Sequence, residues 1–156
     1  NKSKYEANVA SVAGKMDNRV IAAYQQLGFK LVVDPSVNYS GYFDARSRSI
    51  TMKQIDDSVY HELGHFLAFI AGNADKTASF QSIFAAEKAN VTAFNKAYVT
   101  QNASEYFAES VKDYILNNAS LKSSRPQTYA AVQNALNQIT DAQIAKIQKI
   151  YGAFWN

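Results

Sequence analysis

The chain has 156 residues, of which 47% are hydrophobic and 19% charged, with a formal net charge of +3. That length suits a single domain, residues 1–156, with its own core; the Lys and Arg residues are scattered from Lys2 to Lys149 without a basic stripe, and no apolar run reaches the length of a membrane span, so neither nucleic-acid binding nor a span is expected. Cysteine is absent, which excludes disulfides and leaves histidine and carboxylate as the side chains able to hold a metal.

From the N-terminus, Val9, Val12, Met16, Val20, Tyr24 and Leu27 recur at helical spacing, so the first 28 residues read as helix, with Gly14 marking a break and Gly28 suiting a C-terminus. Phe29-Lys30-Leu31-Val32-Val33 is a short β-branched run closed by Asp34-Pro35, and is predicted to be the first strand. Residues 41–52 read as a hairpin whose second arm sets Ile50 and Met52 on one face and Ser49 and Thr51 on the other. Three short strands are therefore expected.

Beyond residue 56 the pattern is helical. Asp56 or Asp57 can cap a helix carrying Val59, Leu63, Phe66 and Ile70 on its apolar side, and Gly72 can end it. A second helix holds Phe80, Ile83, Phe84 and Glu87. A third spans about Asn102 to Asn118, Pro126 opens a fourth, and Ile139 to Phe154 forms a fifth with Ile144, Ile147 and Ile150 as its buried series. Strands first and helices after describe an α+β fold, a small N-terminal sheet with a hairpin followed by an all-helical C-terminal part.

The chemistry concentrates at His61-Glu62-Leu63-Gly64-His65, an H-E-x-x-H motif that uses both histidines of the chain. Positions i and i+4 share one helix face, so His61 and His65 can grip one zinc ion with Glu62 beside it as general base. A catalytic zinc keeps three protein ligands and an open fourth position. With both histidines used, the third ligand must be a carboxylate. Glu105 and Glu109 sit four apart on the third helix, and either can ligate while the other holds a ligand histidine through its free ring N–H. A bland reading competes: Asn102-x-x-Glu105 is a capping box, and Glu109 can be a solvated partner of Lys112.

The motif His61 to His65 followed by Glu105-Tyr106-Phe107-Ala108-Glu109 resembles the lethal-factor-like zinc endopeptidases, the family of the anthrax lethal factor catalytic domain and the secreted clostridial Pro-Pro endopeptidases. The hairpin with Arg48-Ser49-Ile50, the helix around Phe80 to Ala85, and Pro126-Gln127-Thr128-Tyr129 are similar to segments of that family, so the resemblance covers about residues 41–132. It implies a zincin-like fold of gluzincin type with one Zn2+ per chain. His61, His65 and Glu105 would be the ligands, with Glu109 supporting a histidine, Glu62 as catalytic base, and Tyr98, seven residues before Glu105, as a second catalytic residue. It further implies a secreted bacterial endopeptidase, expected to be monomeric, that binds a protein or peptide as an added strand along an edge carrying Arg48, Ser49 and Ile50. A Pro-Pro-specific enzyme and an inactive peptide-binding relative are the alternatives. The sequence departs from the Pro-Pro enzymes in placing its only tryptophan at Trp155 rather than before the edge strand.

Overall fold

The computed structural model describes residues 3–155. Strand β1 (Tyr5–Ala7) leads into two helices, α1 (Val9–Val12) and α2 (Asn18–Gln26). The predicted break at Gly14 is present, because Asp17 caps α2 by accepting the Arg19 N–H at 2.9 Å. Gly28 then turns the chain with φ +79°, a conformation glycine reaches without a Cβ clash. Strands β2 (Lys30–Val33), β3 (Gly41–Asp44) and β4 (Ser49–Met52) follow.

The sheet has four strands in the order β1-β2-β4-β3, one more than the sequence indicated. Pairing is antiparallel for β1 with β2, parallel for β2 with β4, and antiparallel for β3 with β4. Buried Tyr24 ties the parallel pair together, its hydroxyl donating to the Lys30 carbonyl and accepting the Ile50 N–H. Ile50 and Met52 point into the core as their alternation required.

The remainder is helical: α3 (Ser58–Ile70), α4 (Ala78–Glu87), the short α5 (Lys96–Val99), α6 (Ala103–Leu116), α7 (Asn118–Ser124), α8 (Pro126–Asn137) and α9 (Asp141–Trp155). Val59, Leu63, Phe66 and Ile70 of α3 are fully buried between the sheet and α6, so α3 is the spine of the core. At its start Asp56 accepts the Ser58 N–H at 3.0 Å, and at its end Gly72 takes φ +73°. No helix among the described residues is long and apolar enough to cross a membrane.

One assignment changes. Ile150, read as buried, is half exposed, and Ile147 is the member of that series that enters the core. Glu87, on the predicted second helix, is buried because its carboxylate caps α8. It accepts from Gln127 N, Thr128 N and Thr128 Oγ1 at 3.0, 2.8 and 2.7 Å, covering N–H groups that Arg125, in the cap position, leaves open. Since the Thr128 hydroxyl donates to Glu87, Tyr106 must donate to it in turn at 2.6 Å. Helix α6 is thus tied to α8 and α4 next to Glu105.

Candidate metal centre

Helix α3 presents His61 and His65 one turn apart, and α6 crosses it with Glu105 and Glu109 facing them. Glu105 Oε1 lies 2.9 Å from His61 Nε2 and 3.3 Å from His65 Nε2. His61 turns its other nitrogen, Nδ1, to Glu109 Oε1 at 2.9 Å. The capping box is only half formed: Asn102 caps α6 by accepting the Glu105 N–H at 2.8 Å, while the Glu105 carboxylate turns to the histidines. Glu109 likewise faces His61, with Lys112 at 4.0 Å from its second oxygen.

Among the described residues, His61, His65 and Glu105 form a group whose ligand atoms all lie within 4.8 Å of one another. Tetrahedral ligands at about 2.0–2.1 Å from a zinc ion are roughly 3.3 Å apart, so the separations of Glu105 from the two imidazoles suit such an ion. The electrostatics favour a cation here as well. Burial works against charge on His61, yet the carboxylates of Glu105 and Glu109 raise its pKa to about 9. Hydrogen bonds from His61 and His65 hold Glu105 well below the usual carboxylate range. Two imidazole nitrogens and one carboxylate oxygen are a donor set that fits Zn2+.

Glu62 is buried beneath the sheet edge and is not part of the ligand group. Burial raises its carboxyl, against the pull of His61, His65 and the Phe43 N–H. Tyr98, on α5, is half exposed at the mouth, its ring centroid 6.4 Å from that of His61. Burial, with Glu105 and Glu62 nearby, pushes its hydroxyl above the ordinary tyrosine value.

The chain matches the family described as anthrax toxin lethal factor, N- and C-terminal domain, over residues 45–135, more than half its length. It belongs to that family. A curated relative is the Pro-Pro endopeptidase of Clostridioides difficile (strain 630), 41% identical over a 78-residue alignment that covers 47% of this chain and 34% of that protein. The chain thus covers about a third of that relative's length.

In this lethal-factor family member the expected edge strand is corrected. Arg48, Ser49 and Ile50 do not form an edge, because β4 is hydrogen-bonded on both sides, to β2 and to β3. Ile50 is fully buried, and Arg48 is turned away, donating to the Leu27 carbonyl at 3.0 Å with its guanidinium over Trp155. The outer strand next to the metal group is β3. Ser40 accepts the Lys53 N–H, so residues 40, 42 and 44 face β4, and Gly41 and Phe43 direct their backbone groups to the open side.

Two glycines escaped the sequence reading. A Cβ on Gly41 would lie 2.8 Å from Glu62 Cγ, and one on Gly64 would lie 2.6 Å from the Ala108 carbonyl oxygen. Gly41 makes room for Glu62 under the edge. Gly64 lets the α3 and α6 backbones touch, which brings Glu105 and Glu109 within reach of the histidines. The local signal for Gly64 was that it and Ala108 are small residues at the fourth position of the two five-residue motifs.

Proposed function

We propose that the chain is a zinc-dependent endopeptidase of zincin-like, gluzincin-type fold. The observation that carries this is the convergence of His61, His65 and Glu105, beside the unused carboxylate of Glu62, directly under the free edge of β3. When bound, Zn2+ would supply Lewis acidity that polarises a carbonyl and brings the pKa of a water to roughly 7. His61, His65 and Glu105 would hold it, and Glu109 would fix the His61 ring through Nδ1.

A peptide laid along β3 finds backbone groups of Gly41 and Phe43 that β4 does not use and so binds extended with little regard to sequence. Glu62 accepts a proton from the attacking water. The water oxygen bonds to the peptide carbon, and Glu62 returns the proton to the amine nitrogen as the C–N bond breaks. The Tyr98 hydroxyl, kept protonated by its surroundings, donates to the oxyanion that develops on the carbonyl oxygen. Secretion from a bacterium belongs to the same reading and rests on the family alone.

Incubation with a peptide library, Pro-Pro sequences included because the curated relative bears that name, tests the reading. Cleavage is expected, with loss on chelation and return on adding Zn2+. No cleavage at all, or cleavage that survives complete metal removal, overturns it.

Tyr98→Phe removes one oxygen and almost no volume. A donor that acts only in the transition state predicts a fall in kcat of about 10²- to 10³-fold, with KM, zinc content and Tm close to wild type. A large rise in KM at unchanged kcat would make Tyr98 a substrate-binding residue. Loss of Tm at normal turnover would make it a packing residue.

A further inference from the structure

Two rows of residues run side by side away from the metal group. On α3, His61, His65 and Phe69 follow at four-residue spacing and share one face. On β3 and just past it, Gly41, Phe43 and Ala45 occupy alternate positions. Gly41 sits on Glu62, and the Phe43 ring stacks on His65 with centroids 6.5 Å apart and planes 16° apart. Phe43 also packs against Phe69 at 6.2 Å.

Where the rows end, Ala45 and Phe69 open into an apolar pocket of about 220 Å³, walled on the far side by Tyr151, Phe154 and Trp155 of α9, with Arg46 at the rim. The wall is held in place. The Trp155 indole N–H donates to the Ala45 carbonyl at 3.0 Å, the Arg48 guanidinium lies 5.1 Å from the Trp155 ring, and Phe69 meets Tyr151 at 4.8 Å. Phe154 remains 69% exposed, an apolar ring left facing water. The volume falls below the roughly 300–1,000 Å³ of whole-ligand sites, which suits one side chain.

We propose that this pocket is the end subsite of the peptide cleft and takes one apolar or aromatic side chain of the substrate, on the side towards which β3 runs. The proposal rests on the peptidase reading. Its register follows from helix and strand geometry: Phe69 is six residues beyond the midpoint of His61 and His65, about 9 Å at 1.5 Å per residue. At about 3.3 Å per residue, an extended peptide covers that distance in about three residues. The occupant is a substrate side chain because Ala45 and Phe69, which line the pocket, are the next members of the two rows that place Gly41, Phe43 and His65 around the candidate site.

The experiment places Leu, Phe, Gly and Asp in turn at each of the four positions on either side of the cleaved bond and reads kcat/KM by mass spectrometry. For the zinc-loaded wild type, Leu or Phe is expected to exceed Gly by about 10-fold or more, with Asp lowest, at one position two to four residues from the bond on one side only. Phe154→Asp puts a charge in the wall, and Ala45→Leu fills the pocket from the opposite side while keeping the carbonyl that holds Trp155. Each is expected to collapse the Leu-to-Gly ratio at that position and to leave the preferences at other positions in place. A flat profile across those positions, or a preference that both variants preserve, overturns the subsite and leaves the peptidase reading standing. Failure of folded, zinc-loaded wild type to cut any peptide overturns both.

Discussion

Replacing Glu62 with Ala is expected to lower kcat by at least about 10²- to 10⁴-fold, the usual worth of one general acid–base group, and by more if both proton transfers run through it. The fold and the metal content should stay at wild-type values. Glu62 lies outside the ligand group, and its link to β3 is limited to contact with Gly41 and the Phe43 N–H. Its carboxyl is raised by burial, so the charged form is already disfavoured where it sits, and removing it costs little stability. Peptide cleavage, elemental zinc and a thermal melt on the same preparation separate the possibilities. Near-wild-type turnover would remove Glu62 as the base; a parallel loss of zinc would make it part of the metal centre.

Gly64→Ala is expected to reverse the ordinary sign of its substitution class. At an open helix position, Gly to Ala stabilises by about 1 kcal/mol. Here the new methyl would lie 2.6 Å from the Ala108 carbonyl oxygen and 2.7 Å from Ala108 Cα. Both are backbone atoms of α6, so no rotamer change relieves the overlap, and the two helices must separate. Overpacking of this kind costs about 1–3 kcal/mol. Because Glu105 and Glu109 flank Ala108 on the displaced helix, zinc affinity should also drop by about 10-fold or more, comparable to the loss of a supporting partner. Thermal melts with and without chelator, together with a competitive zinc titration, read both effects. A stabilised protein with unchanged affinity would show that α3 and α6 do not touch at this point.

The grouping of His61, His65 and Glu105 was legible from sequence because the spacing within each contributing helix is local. Four-residue spacing on α3 and again on α6 sets each pair on one face, and two motifs that each carry such a pair have few ways to meet. The helices α3 and α6, with long apolar series, were equally readable, as were α8 through Pro126 at its start and the inward face of β4 through Ile50 and Met52. What failed depended on pairing between distant segments. Tyr5-Glu6-Ala7 is a strand only because β2 lies beside it, and three residues carry no periodicity of their own. Strand β4 read as an edge because nothing local announces a parallel partner. Its pairing with β2 is fixed by the Tyr24 hydroxyl and by the burial of the sheet on α3. That parallel pair moves the open edge from Arg48-Ser49-Ile50 to Gly41-Tyr42-Phe43. The burial of Glu87 was not legible for a similar reason, since a buried carboxylate makes sense only once Gln127 and Thr128 are seen to need acceptors. Ile150 fits the helical period of α9, but the last turns of that helix pack mainly through Tyr151 and Trp155 on Phe69.

The most direct test is the zinc content of the purified protein, measured by elemental analysis and native mass spectrometry for wild type, His61→Ala and Glu105→Ala after equilibration at the same micromolar free Zn2+. About one zinc per wild-type chain and substoichiometric zinc in both variants is the expected result, since each variant leaves only two of the three ligands. Wild-type protein without stoichiometric zinc, or full retention by Glu105→Ala, would contradict a metal centre built from His61, His65 and Glu105.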